Sequence, residues 1–220
     1  YMRKDLSASE LTVLMGNGIN LGNTMEAYGR ISLGTEAPVS SYETFWSQPV
    51  TTQEMITGMK NAGFDTLRIP VAWTNAMDYE SGDYTIREDY LNRVEEIINY
   101  ALNENMYVVV NDHWDGSWWG MFGSASEETR QKAWDLYTSM WTQIAERYKE
   151  YSDYLIFESA NEELGNRLND TDVAADSGTL SADECYEMTL KINQKFVDIV
   201  RGTGGNNESR FLLIAGYNTD

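Results

Sequence analysis

Short apolar runs alternate along this chain with longer stretches in which apolar residues recur every three or four positions. Runs of about four or five residues, bounded by polar or glycine-containing segments, are typical of buried strands. The pattern predicts five strands, at 16–20, 66–70, 107–111, from 154 onward and 211–215.

The longer stretches predict amphipathic helices. A first short helix runs to about Leu14 and begins with the capping-box spacing of Ser7 and Glu10. Four further helices are predicted at 51–63, 90–105, 127–149 and 181–200. The first and the last of these four also open with capping-box spacing, at Thr51 and Ser181. The segment between the first strand and the helix at Thr51 is predicted to be a polar loop.

Strands and helices therefore alternate through four strand–helix units and one further strand. Continuous apolar strands are covered on both faces, which favours a parallel sheet. Two parallel architectures fit this order, a (β/α)8 barrel and an open doubly wound sheet. Gly16-Asn17-Gly18 lacks the third glycine and the immediately following helix of a dinucleotide-binding fingerprint, so no nucleotide cofactor is predicted.

Composition narrows the classes of partner. The 220 residues include 42% hydrophobic and 12% aromatic residues, which excludes a disordered chain. The formal net charge of -19 argues against nucleic acid and anionic membrane as partners, because phosphate groups would be repelled. The sequence contains no uninterrupted apolar run of the roughly eighteen residues that a transmembrane helix needs.

Metal binding and disulfide formation are limited, because the sequence has one cysteine and one histidine. Cys185 is the one cysteine, so no internal disulfide is possible, and His113 is the one histidine, which excludes a zinc site built on several histidines. No metal and no other cofactor are predicted. Asp170 and Asp172 lie in a polar insertion with calcium-type ligands, but a solvated loop is the favoured interpretation.

Polar and aromatic residues collect where the predicted strands end, and parallel strands deliver their carboxyl ends to one edge of the sheet. They are, strand by strand, Asn20 and Asn23; Arg68 and Trp73; Asn111, Asp112, His113, Trp114, Asp115, Trp118 and Trp119; Asn161, Glu162 and Glu163; and Tyr217 and Asn218. Acids and amides bind hydroxyl groups, and indole faces cover the C–H faces of sugar rings. The set is the chemistry of a carbohydrate cleft.

Each of these residues also has a purely structural interpretation. A carboxyl at the end of a buried strand lies where low dielectric can raise its pKa, as a general acid near neutral pH requires, so burial is predicted to prepare Glu162 as an acid. Glu162 can equally be salt-bridged at a strand end. Trp118 and Trp119 lie in a glycine-flanked loop, where contact with a ligand is favoured over core filling. Arg68 is a charge in an apolar strand, so it needs a carboxylate partner, which we expect from another strand end. His113 directly follows a buried strand, which favours an active-site role over a satisfied loop histidine.

Together these residues resemble glycoside hydrolase family 5, the cellulase family of retaining (β/α)8 barrels. The matching segments extend over essentially the whole chain. They are GINLGNT at 18–24, PVTT at 49–52, GFDTLRIPVAW at 63–73, NDH at 111–113 and SANE at 159–162. One departure is Glu163, which replaces the proline that usually follows the Asn-Glu pair.

The resemblance implies specific roles. Glu162 would protonate the glycosidic oxygen and then activate water, and Asn161 would contact the 2-hydroxyl of the sugar at the cleavage point. Arg68 would orient a nucleophilic carboxylate, and His113 would contact the same sugar. The predicted substrate contacts are Asn161, His113, Arg68, Asn20, Trp114, Trp118 and Trp119. The implied activity is a secreted endo-β-1,4-glucanase acting on cellulose, mixed-linkage glucan or xyloglucan.

The resemblance also implies that the second catalytic carboxylate and the later strands of the barrel are not part of residues 1–220. Retaining hydrolysis needs a second carboxylate about 5 Å from the first, and the family supplies it from the seventh strand, whereas the fifth predicted strand is the last here. A barrel of this kind also takes about 250 residues. We therefore expect residues 1–220 to be the amino-terminal part of one catalytic domain, completed by further residues or by a second polypeptide. Arg68 is expected to lack its carboxylate partner until then.

Three alternatives remain open at this point. The chain can be a non-catalytic carbohydrate-binding fragment of such a barrel, or part of a β-mannanase with the same mechanism. It can also be an open doubly wound domain that binds a small metabolite, which would account for five strands without a missing half. Strand order distinguishes the last alternative from the barrel.

Overall fold

A computed structural model describes residues 1–171, 173–174 and 176–219. The five described strands are β1 (Gly18–Asn20), β2 (Thr66–Ile69), β3 (Tyr107–Asn111), β4 (Leu155–Glu158) and β5 (Leu212–Leu213). The α-helices are α1 (Ala8–Leu14), α2 (Arg30–Leu33), α3 (Val39–Glu43), α4 (Gln53–Asn61), α5 (Glu88–Asn103), α6 (Glu127–Tyr148) and α7 (Ala182–Gly202). Short 3-10 turns occupy several of the connecting loops, and no helix in the described part of the chain is long and apolar enough to cross a bilayer.

The strands form one parallel sheet in the order β1-β2-β3-β4-β5. The register places Ile19 beside Leu67 and Val109 beside Ile156. Spatial neighbours are therefore also neighbours in sequence, with α4, α5, α6 and α7 in the four connections. A doubly wound sheet reverses its strand order at a switch point, so that alternative is wrong. The sheet comprises strands 1–5 of a (β/α)8 barrel, with four barrel helices, as predicted.

The core lies between β3, β4 and the helices that follow them. All five residues of β3 and all four of β4 are buried. Trp141 of α6 fills the space against Phe157 of β4 and Phe196 of α7, with ring centroids 5.8 and 4.6 Å away. Each such side chain contributes roughly 1.5–3 kcal/mol through its removal from water.

Arg210 is a fully buried arginine that the sequence did not single out. Its guanidinium donates to the backbone carbonyls of Ser152 and Leu155 at 2.8 Å and to that of Tyr151 at 2.7 Å. Burial lowers the pKa of Arg210 to about 10. The side chain therefore joins the segment before β5 to the turn that enters β4.

Two local predictions about helices differ from the structure. Helix α4 is capped by Thr52, whose Oγ1 accepts the Met55 N–H, rather than by Thr51, which is buried and donates its N–H to Glu43. The capping boxes of α1 and α7 are confirmed. The polar loop at 24–50 contains α2 and α3, which have four and five residues and so are too short to show a helical period.

The two outer strands are more exposed than the inner ones. Gly18 and Asn20 of β1 are exposed, and β5 is a two-residue strand in which Leu213 is 41% exposed. Each outer strand has a ladder partner on one side within the described residues. The prediction of a five-residue buried strand at 211–215 is therefore wrong in its length and in its burial.

Candidate active site

Arg68 and Glu158 form a bidentate ion pair between β2 and β4, across the intervening β3. Arg68 Nε donates to Glu158 Oε2 at 2.7 Å and Nη2 donates to Oε1 at 2.6 Å. The expected partner from another strand end is thus confirmed. The expectation that Arg68 lacks a carboxylate until further residues arrive is wrong, because Glu158 is the last residue of β4 and supplies one within this chain.

The same guanidinium holds Asn161, in the loop that follows β4. Arg68 Nη2 also donates to Asn161 Oδ1 at 2.9 Å. Asn111, at the end of β3, places its Nδ2 3.5 Å from Glu158 Oε1 and 3.2 Å from His113 Nδ1. Five polar side chains from three strand ends are therefore joined in one network, and Asn161, Arg68 and His113 lie together as predicted.

His113 is held in its neutral form. Burial, followed by the positive charges of Arg68 and Arg167, lowers the pKa of His113 to about 4. Its backbone N–H donates to the Val71 carbonyl at 2.9 Å, which fixes the start of the loop after β3. At neutral pH the imidazole therefore carries one N–H donor and one acceptor nitrogen, which suits contact with a hydroxyl group.

Glu162 lies beside Asn161 and faces solvent. Its side chain is 46% exposed, and its Oε2 lies 3.2 Å from Arg167 Nη1. It borders a pocket of about 390 Å³, whose walls include Arg68, Glu158 and the chain that follows β5. The argument that burial prepares Glu162 as an acid is wrong, because this carboxyl lies beyond the end of β4 rather than within it.

The buried acid of this loop is Glu163. Its residue is 1% exposed, and burial raises the pKa of Glu163 to about 7. Its Oε2 accepts the backbone N–H of Asn161 at 3.1 Å, while Oε1 is buried without a hydrogen-bond partner. The residue that departs from the family pattern therefore folds back and fixes the peptide between Ala160 and Asn161.

Two further buried acids follow β3, and sequence reasoning gave them no role. Asp115 accepts Thr74 Oγ1 at 2.6 Å and Trp118 Nε1 at 3.2 Å. Burial raises the pKa of Asp112 well above its ordinary value, and the nearby Asp115 adds to this effect. The available signal was the position of the two acids, since Asp112 directly follows a buried strand and Asp115 comes three residues later in the same tight loop.

Trp118 and Trp119 are core residues, not an exposed sugar platform. They are 0% and 1% exposed, and their rings stack on each other with centroids 4.5 Å apart. The loop turns them inward at Gly116 and Ser117, whose φ values of 74° and 62° are left-handed. The inference from a glycine-flanked loop to exposure is therefore wrong. The apolar run that Trp118 and Trp119 form with Met121 and Phe122 was the signal for burial.

The remaining candidates lie at the expected edge. Trp114 is half-buried and meets the ring of Tyr28 edge-on, with centroids 5.4 Å apart. Asn20 is exposed at the end of β1, in register with Arg68. Among the residues that the structure describes, no cluster of three acidic, histidine or cysteine side chains has the geometry to hold a metal ion. The calcium alternative involves Asp170 and Asp172, and Asp172 lies outside the described residues.

The strand order and the acid, amide, imidazole and guanidinium groups at the strand ends define the class of fold: part of a (β/α)8 barrel with its polar residues gathered at the carboxyl ends of the strands. The sequence model of the cellulase family, glycosyl hydrolase family 5, matches residues 31–220. The chain belongs to this family, as the resemblance indicated.

Individual relatives agree with this membership. The chain is 37% identical over 214 residues to endoglucanase A of Ruminococcus albus, with 97% of this chain and 54% of that protein covered. It is 36% identical over 217 residues to a xyloglucan-specific endo-beta-1,4-glucanase of Bacteroides ovatus, with 99% and 40% covered. A solved structure of a broad-specificity endoglucanase from Ruminococcus champanellensis with bound cellotriose superposes with a TM-score of 0.82 at 33% identity, covering 98% of this chain and 59% of that one. The chain thus spans about half the length of these relatives.

Proposed function

We propose that the chain is the amino-terminal part of the catalytic domain of a retaining endo-β-1,4-glucanase. Glu162 is its acid/base, and the nucleophile lies outside residues 1–220. The observation that carries the proposal is the hydrogen bond from Arg68 to Asn161, because it fixes the Asn161-Glu162 dipeptide at the edge of the sheet. The exposed Glu162 carboxyl then faces the adjoining pocket.

The chemistry follows from these positions. The Glu162 proton passes to the glycosidic oxygen as the bond to the anomeric carbon breaks, and an external carboxylate bonds to that carbon from the other face. Glu162 then takes a proton from water, which displaces the carboxylate. The Arg68 contacts described above use Nε and Nη2, so Nη1 can donate to that nucleophile.

The proposed substrate is a β-glucan, bound at the polar strand ends. Asn161 and the neutral His113 contact hydroxyl groups of the sugar at the cleavage point, with Asn20 and Trp114 at the rim. The proposal is supported by relatives described as xyloglucan-specific and as binding cellotriose. Cellulose, mixed-linkage glucan and xyloglucan are all included, and secretion follows from the size of such substrates.

A second polypeptide, or further residues of the same chain, completes the barrel in this proposal. The exposed outer strands support it, because unpaired strand edges promote association with another strand. Native mass measurement beside denatured mass tests it. A single folded species of 25.1 kDa that hydrolyses β-glucan would contradict it, since the nucleophile would then lie within residues 1–220.

Glu162→Gln in the complete domain tests the catalytic role. Turnover of cellotetraose should fall by about 10²–10⁴-fold, because the amide cannot transfer the proton, while cellotriose binding is retained. Retained turnover would remove Glu162 from the mechanism. If the unmodified domain binds cellotriose but hydrolyses no β-glucan, the non-catalytic binding protein is the correct alternative. Preferential hydrolysis of β-mannan would favour the mannanase.

A further inference from the structure

Arg167 lies against the proposed acid/base. Its Nη1 is 3.2 Å from Glu162 Oε2, and its Nε is 3.6 Å from Asp170 Oδ2. We propose that Arg167 is a positioning residue, which holds Glu162 in the orientation needed for proton transfer. The inference rests on the proposed function and names a residue that the resemblance did not supply.

The turn that carries Arg167 is fixed at both of its ends. It is a 3-10 turn over Asn166–Asn169. The Asn166 N–H donates to Asn218 Oδ1 at 2.8 Å. The Asn169 side chain bonds both backbone groups of Leu180, at 2.8 and 3.0 Å. Contacts from the chain after β5 and from the start of α7 therefore define where Arg167 stands.

The turn also lies directly on the loop after β3. A Cβ added at Gly120 would be 2.0 Å from the Asp170 carbonyl oxygen, and one added at Gly123 would be 2.4 Å from the Leu168 carbonyl oxygen. Side chains at these two positions would push the turn away. The two glycines therefore allow a backbone-to-backbone contact that brings Arg167 close to Glu162.

The positive charge of Arg167 affects the pKa values of other residues in the cleft. It contributes to lowering the pKa of His113, after burial and Arg68. It also opposes the rise that burial produces in the pKa of Glu163. Arg167 is therefore electrostatically close to both residues that flank the proposed reaction centre, and its side chain is 30% exposed, within reach of a ligand.

The chemistry explains why such a residue is useful. An acid/base must present the same oxygen to the leaving group and later to water, and a glutamate side chain has several rotamers. A guanidinium on Oε2 directs Oε1 toward the substrate. A guanidinium has no acceptor atom and keeps its charge in proteins, so Arg167 neither gives nor takes the transferred proton.

The test compares substrates in the complete catalytic domain. Arg167→Met should lower kcat/KM for cellotetraose by about 10–100-fold, because misplacement of a catalytic group has effects of this size. For a dinitrophenyl β-cellobioside, whose leaving group needs no proton, the first step should change by less than about 3-fold. Arg167→Lys should recover most of the activity on cellotetraose. Arg87→Met is the matched control, because Arg87 pairs with Asp89 and bonds the carbonyls of Thr35 and Ala37 but, within the described residues, contacts none of the cleft network, and it should leave both rates unchanged.

A second variant changes the position of Arg167 without removing its charge. Gly120→Ala replaces no cleft side chain but displaces the turn that carries Arg167, so it should show the same leaving-group dependence as Arg167→Met. An equal loss on both substrates in the Arg167 variant, or full activity on cellotetraose, would overturn the inference. If Glu162→Gln itself retains turnover, the proposed function fails instead.

The contact can also be tested in the 220-residue chain without turnover. Glu162→Gln should shift the Nε–Hε NMR signal of Arg167, and the signal of Arg87 should stay in place. An unshifted Arg167 signal would overturn the inference, whatever the enzyme assays give.

Discussion

The guanidinium of Arg68 and the carboxylate of Glu158 connect β2 to β4 through hydrogen bonds of 2.7 and 2.6 Å. Their side chains are 24% and 12% exposed, so the pair is largely removed from water. The chain therefore neutralises the central cation of its cleft internally. Any carboxylate that joins the site later meets an arginine that is already oriented.

Removal of one partner of this pair should destabilise the chain. Glu158→Gln leaves Arg68 with a neutral partner, and we expect the free energy of unfolding to fall by about 3 kcal/mol. The double variant Arg68→Met with Glu158→Leu should lose less than the single variants Arg68→Met and Glu158→Leu lose together. Denaturant unfolding measures all four variants. Asp89→Asn, at the more exposed pair with Arg87, is the control and should lose less than about 1 kcal/mol.

Glu163 should make the stability pH-dependent. In the unfolded chain its carboxyl loses a proton around the ordinary pKa of 4.5, whereas in the fold its pKa is about 7. The fold therefore binds the extra proton between these values, so the contribution of Glu163 to stability is fully present below pH 4.5 and is lost as the pH rises to 7. The full effect corresponds to roughly 3 kcal/mol.

The variant Glu163→Gln should remove this decline. It keeps an oxygen that accepts the Asn161 N–H, so it should match the parent chain near pH 4 and exceed its stability at pH 8. Denaturant midpoints across that range measure the difference. Glu187→Gln, on the exposed face of α7, is the control. Parallel pH curves for the parent and Glu163→Gln would contradict the assignment of the raised pKa.

His113 should titrate near pH 4 in the folded chain. Burial and the two nearby guanidinium groups oppose its positive form. Because it is the single histidine of the sequence, one imidazole signal in a proton NMR titration reports it without ambiguity. A midpoint near 6.5 would show that the imidazole is solvated. In that case its proposed neutral contact with a sugar hydroxyl would fail at mildly acidic pH.

Two tryptophans from the same loop should behave differently. Trp118→Ala should lower the free energy of unfolding by about 3–5 kcal/mol, because it empties a fully buried position. Trp114→Ala should lose much less stability but weaken cellotriose binding, since Trp114 is half-buried at the rim. Denaturant unfolding and binding calorimetry together measure both effects. Trp46→Ala, at a 40% exposed position elsewhere, is the control.

The sequence predicted the structure correctly where apolar residues repeat with a helical period, and where an apolar strand ends abruptly in polar residues. The strand β3 and the helix α6 were predicted almost to the residue, because their apolar positions repeat over several turns or fill a whole strand. The proximity of Arg68, His113 and Asn161 followed from the rule that parallel strands end at one edge.

The orientation of individual side chains was beyond the sequence. Glu162 and Glu163 are chemically identical neighbours, and which of them is buried depends on how the loop turns after β4. Trp118 and Trp119 face inward because the backbone is left-handed at Gly116 and Ser117. Glycine adopts this conformation readily, whereas a serine rarely does, so the sequence does not predict the turn at Ser117. Arg210 has the sequence environment of a surface arginine. Its six hydrogen-bond acceptors, which are five backbone carbonyls within 148–155 and the side chain of Asn207, come together only in three dimensions.

The contact at Gly120 and Gly123 has a consequence for how this enzyme family diversifies. Two loops that touch backbone to backbone are sterically coupled, because a side chain at Gly120 or Gly123 fits only if the turn after β4 changes as well. Substrate preference in this half of the cleft should therefore evolve by paired exchange of the segments after β3 and β4. Libraries that randomise only the segment after β3, or only the segment after β4, should contain mostly variants that misfold.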